Sequence, residues 1–396
     1  MKIPNDPFLG THYIGKEELR AVTKIMKSKS LFRYHGPDMQ YVTDQFEKAM
    51  TEYLNVKYVL AVTNGAAAIK LGLIGCGIGP GDEVLMSPFT FIASASSVLS
   101  CGAVPKFVDI DETMNIDPTK IERNITKNTK AIMPIHMQGQ ACDMTSIMKI
   151  AKKHNLKVIE DVAQAFGSKI NNKFAGTDSD CGAFSLQAGK TITCGEGGFI
   201  ATNDKKVYEM AKIYHDNGGF RTGCNYPTWE NGQTIFGENF KLTELQSAVA
   251  LEQLKKADLI IEHQKESYDY LISLIDTKFF KLRPFLKGHT RVNMSLSIVF
   301  ENEKKCQDFI VFMNKSEIGF NNYCSNLIDK FDTFSKQQSW HISNFPYNIT
   351  KYTKTKCKNA EVLFKRVAWF NLSASLNKKH LKYIADKMKE FQNANV

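Results

Sequence analysis

Through its first 205 residues the chain alternates short apolar runs with amphipathic stretches. The runs 57-KYVLAVTN, 82-DEVLMSP, 104-VPKFVDI, 129-TKAIMPIHM, 157-KVIEDV, 181-CGAFSLQ and 197-GGFIATN are rich in Val, Ile and Phe, which predicts seven strands. Between several of them lie helical patterns, 65-GAAAIKLGLIGC, 89-FTFIASASSVL and 143-DMTSIMKIAKKHN. Strands alternating with helices of about ten residues predict an α/β fold, a mainly parallel sheet covered on both faces. From Leu242 onward, Leu242, Leu245, Val249 and Leu254 recur at helical spacing, predicting one long helix that leads from a large domain into a smaller one. The last part, from about residue 265, alternates 296-LSIVF and 367-VAWFNL with lysine-rich helical patterns and reads as α+β. The expected division is a large α/β domain with its N-terminal segment over 1–260 and a small C-terminal domain over 261–396.

Composition narrows the class. With 43% hydrophobic and 23% charged residues the chain has the make-up of a soluble globular protein, and no apolar run is long enough to span a membrane. The stretch 1-MKIPNDPFLG has no apolar core of the signal-peptide kind, so the cytoplasm is the expected compartment. Nine cysteines are scattered without a C-x-x-C pair, which argues for reduced thiols and against a zinc site. The formal charge of +10 is spread over lysines among Asn and Ile, so a nucleic-acid partner is not expected.

Three strand ends carry chemistry. In 62-VTNGAAAIKLGL a strand gives way at Asn-Gly to a helix that begins on small residues, where free N–H groups suit a phosphate; a tight turn before a buried helix is the plainer reading. In 158-VIEDVAQAFGS an acidic pair closes an apolar strand, and strand alternation lets only one of Glu160 and Asp161 face a given pocket. In 182-GAFSLQAGKTITCGEGG, Lys190 lies among glycines that permit close approach to a ligand. A lysine there becomes a nucleophile when desolvation lowers its pKa, whereas a lone loop lysine is ordinarily solvated. A phosphate cradle, a buried acid and a shielded lysine on one sheet edge are what pyridoxal 5′-phosphate requires.

At these residues the chain resembles the DegT/StrS family of sugar aminotransferases, pyridoxal-phosphate enzymes of the aspartate-aminotransferase fold (fold type I). The resemblance is strongest over 64–111, in 159-IEDVAQAFGS and in 184-FSLQAGKTITCGEGG. It implies that Lys190 bonds the cofactor's aldehyde and that Asp161 partners the pyridine nitrogen. By the same resemblance Gln164 and Ser185 contact ring and phosphate, Gly65 and Ala66 cradle the phosphate, and Phe91 stacks on the ring. Asn239, in 236-FGENFKLTELQ, matches an asparagine that reaches the neighbouring subunit's phosphate, which implies an obligate homodimer. The family often carries Thr or Ser where this chain has Ala66, so a hydroxyl contact to the phosphate is missing.

The implied reaction moves an amino group from glutamate or glutamine to a ketosugar of cell-surface polysaccharide or lipopolysaccharide. The stretch 31-LFRYHGPDM is similar to enzymes that aminate C8 of an octulosonate, while nucleotide-linked 3- or 4-ketosugars are the family norm. Arg33, His136, His215 and Arg221 are candidates for the sugar side of the pocket, with Glu196 open between substrate contact and loop shaping. Dehydratases of the family carry histidine at the position of Lys190, so amino transfer is favoured here over dehydration. A pyridoxal-phosphate-binding regulator without catalysis is the non-enzymatic alternative.

Overall fold

The computed structural model describes residues 1, 3–4, 9–219, 234–323 and 326–395. Seven strands form one sheet: β1 Tyr58–Val62, β2 Glu83–Met86, β3 Val104–Phe107, β4 Thr129–Ile132, β5 Lys157–Asp161, β6 Cys181–Ser185 and β7 Gly198–Thr202. Their order is β1-β7-β6-β5-β4-β2-β3, and only β7 runs antiparallel to its neighbours. Each lies inside one of the seven apolar runs, so the expected mainly parallel α/β sheet is the observed one.

The sheet is buried on both faces because its strands are apolar at consecutive positions rather than alternate ones. Leu60 and Val62 of β1 pack on one side with α1 Gly65–Gly75 and α2 Ile92–Ser100. Val59 and Ala61 pack on the other, against Phe46, Met50 and Leu254. Helix α1 is apolar nearly all round, as burial under a sheet requires.

The long helix expected from Leu242 is two helices, Glu244–Lys255 and Ala257–Leu274, which meet at Lys256. At this junction the Lys256 amine reaches Glu18, at 2.7 Å, and the Tyr13 carbonyl, at 2.8 Å. The periodicity survives the break because both pieces bury apolar positions, so the pattern alone hides it.

A second, antiparallel sheet contains β8 Lys281–Leu282, β9 Ser295–Val299 and β10 Val367–Asn371, in the order β8-β9-β10. Its core is aromatic, with Phe309, Phe320 and Phe370 fully buried beside Tyr268 and Ile384. Between these strands the chain returns to the first core: Leu327, Phe334, Tyr347 and Tyr352 pack there, and Phe334 and Tyr352 meet Phe107 of β3 edge-on.

Candidate active site

The carboxyl ends of the parallel strands open onto a cavity of about 740 Å³, the place where open α/β sheets bind ligands. Lys190, Asp161, Gln164, Ser185 and Phe91 line it, together with Gly65, Ala66 and Glu196.

Asp161 ends β5 and is buried. Its Oδ2 accepts from Ser94 Oγ at 2.7 Å and its Oδ1 from the Ala163 N–H at 3.0 Å. No cation pairs with it among the described residues. Burying a carboxylate costs several kcal/mol, and two hydrogen bonds at about 1.5–3 kcal/mol each to a charged group offset only part of that. The site therefore favours a cationic N–H against Asp161. Glu160 faces the opposite way, as strand alternation requires, and meets His136 Nε2 at 2.7 Å.

The phosphate cradle follows from how α1 begins. Asn64 caps the helix by accepting from Ala67 N at 2.8 Å. The N–H groups of Gly65 and Ala66 have no acceptor among the described residues. A Cβ at Gly65 would stand 2.8 Å from Ser185 Cβ, so only glycine lets the helix start lie against the end of β6. The Ser185 hydroxyl is thereby brought beside two free N–H donors at the positive end of a helix dipole.

Lys190 sits on a loop braced by its own backbone: Leu186 N donates to Gly197 O at 2.8 Å and Ala188 N to Gly195 O at 2.9 Å. Gly195 supplies the left-handed turn, with φ of 87°. The N-terminal segment ties the loop down, since Gly10 N donates to the Lys190 carbonyl at 2.9 Å. The Lys190 amine makes no hydrogen bond or ion pair among the described residues. Burial holds its pKa below the ordinary lysine value, against the opposing charges of Asp161 and Glu196. An anion site, a carboxylate and a desolvated amine in one cavity fit pyridoxal 5′-phosphate.

Three of the proposed sugar contacts are elsewhere. Arg33 is buried in a bidentate pair with Glu47 at 3.0 and 2.9 Å, with Asp44 at 3.0 Å, so its two terminal nitrogens are engaged inside the fold. His136 is fully buried; the Cys142 N–H donates to its Nδ1, which leaves the Nε2 proton for Glu160. His215 is also fully buried and off the cavity, its Nδ1 against the Lys212 carbonyl, and burial followed by the charge of Arg33 pushes its pKa down to about 3. Each is a polar residue placed in the core, and for Arg33 and His136 the sequence gives no sign of the carboxylate that meets it there. Arg221 lies outside the described residues. Asn239 is exposed and does not line this chain's own cavity.

Sequence reasoning also missed the cavity's far wall. Tyr323 donates a surface there: its hydroxyl accepts from Gln164 Nε2 at 2.8 Å and its ring stands 5.4 Å from Trp369. Trp369 and Asn371 come from β10 and Ser295 from β9. Ser94 was missed as well, although Thr90 and Ser94 four apart in 88-PFTFIASASS, just after a strand, are the pair that reaches Asp161.

The DegT/DnrJ/EryC1/StrS aminotransferase family model matches residues 12–389. A GDP-perosamine synthase of Caulobacter vibrioides is 45% identical over 215 residues, 54% of this chain and 56% of that one. The match thus spans just over half of that relative's own length. The spore coat polysaccharide biosynthesis protein SpsC of Bacillus subtilis is 35% identical over 302 residues, 74% of this chain and 75% of that one. Among solved structures, Helicobacter pylori PseC, an aminotransferase involved in the biosynthesis of pseudoaminic acid, has a TM-score of 0.84 at 25% identity, covering 100% of both chains. The chain belongs to the DegT/DnrJ/EryC1/StrS aminotransferases, a family that works with pyridoxal 5′-phosphate.

Proposed function

We propose that this protein moves an amino group from glutamate or glutamine to a nucleotide-linked ketosugar destined for a cell-surface polysaccharide. The observation that carries the chemistry is the Lys190 amine, shielded from water and without a partner among the described residues, in the same cavity as the Asp161 carboxylate, which no cation pairs among the described residues. The names of the relatives support the acceptor class: a GDP-perosamine synthase and a dTDP-3-amino-3,6-dideoxy-alpha-D-galactopyranose transaminase of Aneurinibacillus thermoaerophilus, the latter 40% identical over 242 residues.

The residues divide the work as follows. The Gly65 and Ala66 N–H groups and the Ser185 hydroxyl bind the phosphate, with the backbone carrying what a hydroxyl at position 66 would otherwise supply. Asp161, oriented by Ser94 and the Ala163 N–H, keeps the pyridine nitrogen protonated. When bound, pyridoxal 5′-phosphate supplies the aldehyde that exchanges for an amine and the ring that takes up the electrons of a broken C–H bond. Lys190 is the residue that would hold that aldehyde carbon, and its amine, when free and neutral, would take the proton from the donor's α-carbon and return one to the sugar carbon. Phe91 covers the ring from the cavity mouth, and Asn239 extends to the phosphate of a second subunit in a homodimer.

The test is amino transfer itself. The loaded enzyme is given glutamate or glutamine with GDP-, dTDP- and UDP-linked ketosugars and with a free 8-oxo-octulosonate, and the amino sugar is detected by mass. Amination of a nucleotide-linked sugar is the expected result. Amination of the octulosonate alone overturns the acceptor, and no amination of any sugar overturns the reaction.

A further inference from the structure

Within residues 337–350 several large apolar side chains are left facing solvent. Trp340 is 94% exposed and Ile342 97%, with Ile349 and Phe345 also exposed. Monomeric proteins rarely leave several large apolar side chains together on the surface without a use for them. The segment is braced, not loose: Asn344 Oδ1 accepts from the Ser339 N–H at 2.8 Å and Asn344 Nδ2 donates to the Gln337 carbonyl at 3.1 Å. Tyr347 beneath it is fully buried in the first core.

Charge gives the occupant. Between Asp332 and Glu361 there is no acidic residue, and there are five lysines, Lys336, Lys351, Lys354, Lys356 and Lys358. Lys351, Lys356 and Lys358 are exposed and make no ion pair among the described residues. A second copy of the same patch would bring these like charges together. An anionic surface with an apolar interior satisfies both halves: Trp and Ile enter the headgroup boundary while lysines meet the phosphates.

Position leaves the patch free. Its supporting residues pack on β3, one edge of the seven-stranded sheet, where Thr355 Oγ1 bonds the Phe107 carbonyl. Asn239 lies beside β1 at the other edge, where Thr63 N donates to Phe240 O. Six strand spacings, about 29 Å at ~4.8 Å each, separate the two edges, so a dimer built around Asn239 does not need the patch.

We infer that the Trp340–Ile342 segment and its flanking lysines dock the enzyme on a membrane surface bearing anionic lipid. The pyridoxal-phosphate-loaded enzyme is sedimented with vesicles of phosphatidylcholine plus phosphatidylglycerol and with phosphatidylcholine alone. Binding to the anionic vesicles only, weakened by added salt, is expected. The double variant Trp340→Ser/Ile342→Ser lowers the partition coefficient at least about tenfold, from the loss of two buried apolar side chains. Lys351→Gln/Lys356→Gln lowers it about tenfold or more, at roughly 1 kcal/mol per lysine near such a surface. Turnover of soluble substrates stays unchanged in both, which shows that they fold. Equal pelleting with and without anionic lipid, or no loss in the first variant, overturns the proposal. So does a patch-dependent shift in oligomeric state without vesicle binding, which assigns the surface to a second copy, or tighter binding of an oligonucleotide than of vesicles through the same residues.

Discussion

At one end of the cavity, Asp161, Ser185 and Gly65 stand on the carboxyl edge of a sheet whose core residues are almost all fully buried. At the other end, Tyr323, Trp369, Ser295 and Asn371 come from the second sheet and from the chain leading to it. The first end is fixed by backbone: a helix start against a strand end, a capped turn, a braced loop. The second is a wall of side chains whose positions depend on how two cores meet. Backbone-built chemistry is shared by every acceptor the enzyme takes, whereas a side-chain wall can be changed residue by residue to fit one sugar. Substitutions at the two ends should therefore separate turnover from acceptor affinity.

The largest effect belongs to Lys190. Lys190→Ala should abolish the visible absorbance of the loaded enzyme and lower turnover by at least about 10³-fold, since both the covalent hold and the proton carrier are lost. Absorbance spectra and amino transfer with the same acceptor check this together. Asp161→Asn follows, with kcat down about 10²–10³-fold for the loss of one charge aimed at the reacting system. The Ser94 hydroxyl still has an acceptor in that variant, so the fold should persist; a thermal melt close to that of the parent protein separates lost chemistry from lost structure.

How far these two ends were legible in sequence follows from their construction. Asp161, Lys190 and Gly65 sit at strand ends within short motifs, and local pattern carries their geometry. Trp369 and Tyr323 are 46 residues apart and gain their meaning only from the pairing of Ser295–Val299 with Val367–Asn371. Arg33, His136 and His215 show the converse error, because a polar residue looks functional until its buried partner is seen, and Glu47 or Glu160 is not adjacent in any motif. The break at Lys256 escaped for a similar reason: the carboxylate that meets Lys256 there, Glu18, is far away in the chain.

The far wall should respond in the other direction. Trp369→Ala removes an aromatic face and should raise the acceptor's KM roughly three- to tenfold, the equivalent of an aromatic contact of ~0.5–1.5 kcal/mol, with kcat and the donor's KM nearly unchanged. Steady-state kinetics with each substrate varied in turn decides it. A fall in kcat with unchanged acceptor KM would mean that this wall serves the chemistry, and the contrast between the two ends would fail.

The smallest effect lies at the border between the ends, at Glu196. Burial lowers the Lys190 pKa, while Asp161 and then Glu196 oppose the shift by favouring the ammonium. Only the neutral amine attacks an aldehyde, so uptake of pyridoxal 5′-phosphate by the cofactor-free protein falls as pH drops through the Lys190 pKa. Removing a carboxylate that favours the ammonium lowers that pKa further. Glu196→Gln should therefore move the acid limb of the uptake rate to lower pH, and Asp161→Asn should move it the same way and further. Glu196 is exposed and screened by solvent, which makes its share the lesser one. Added salt should shrink the Glu196 shift while sparing that of buried Asp161. A limb that moves to higher pH in Glu196→Gln would mean that Glu196 assists Lys190 as a proton acceptor rather than acting through its charge.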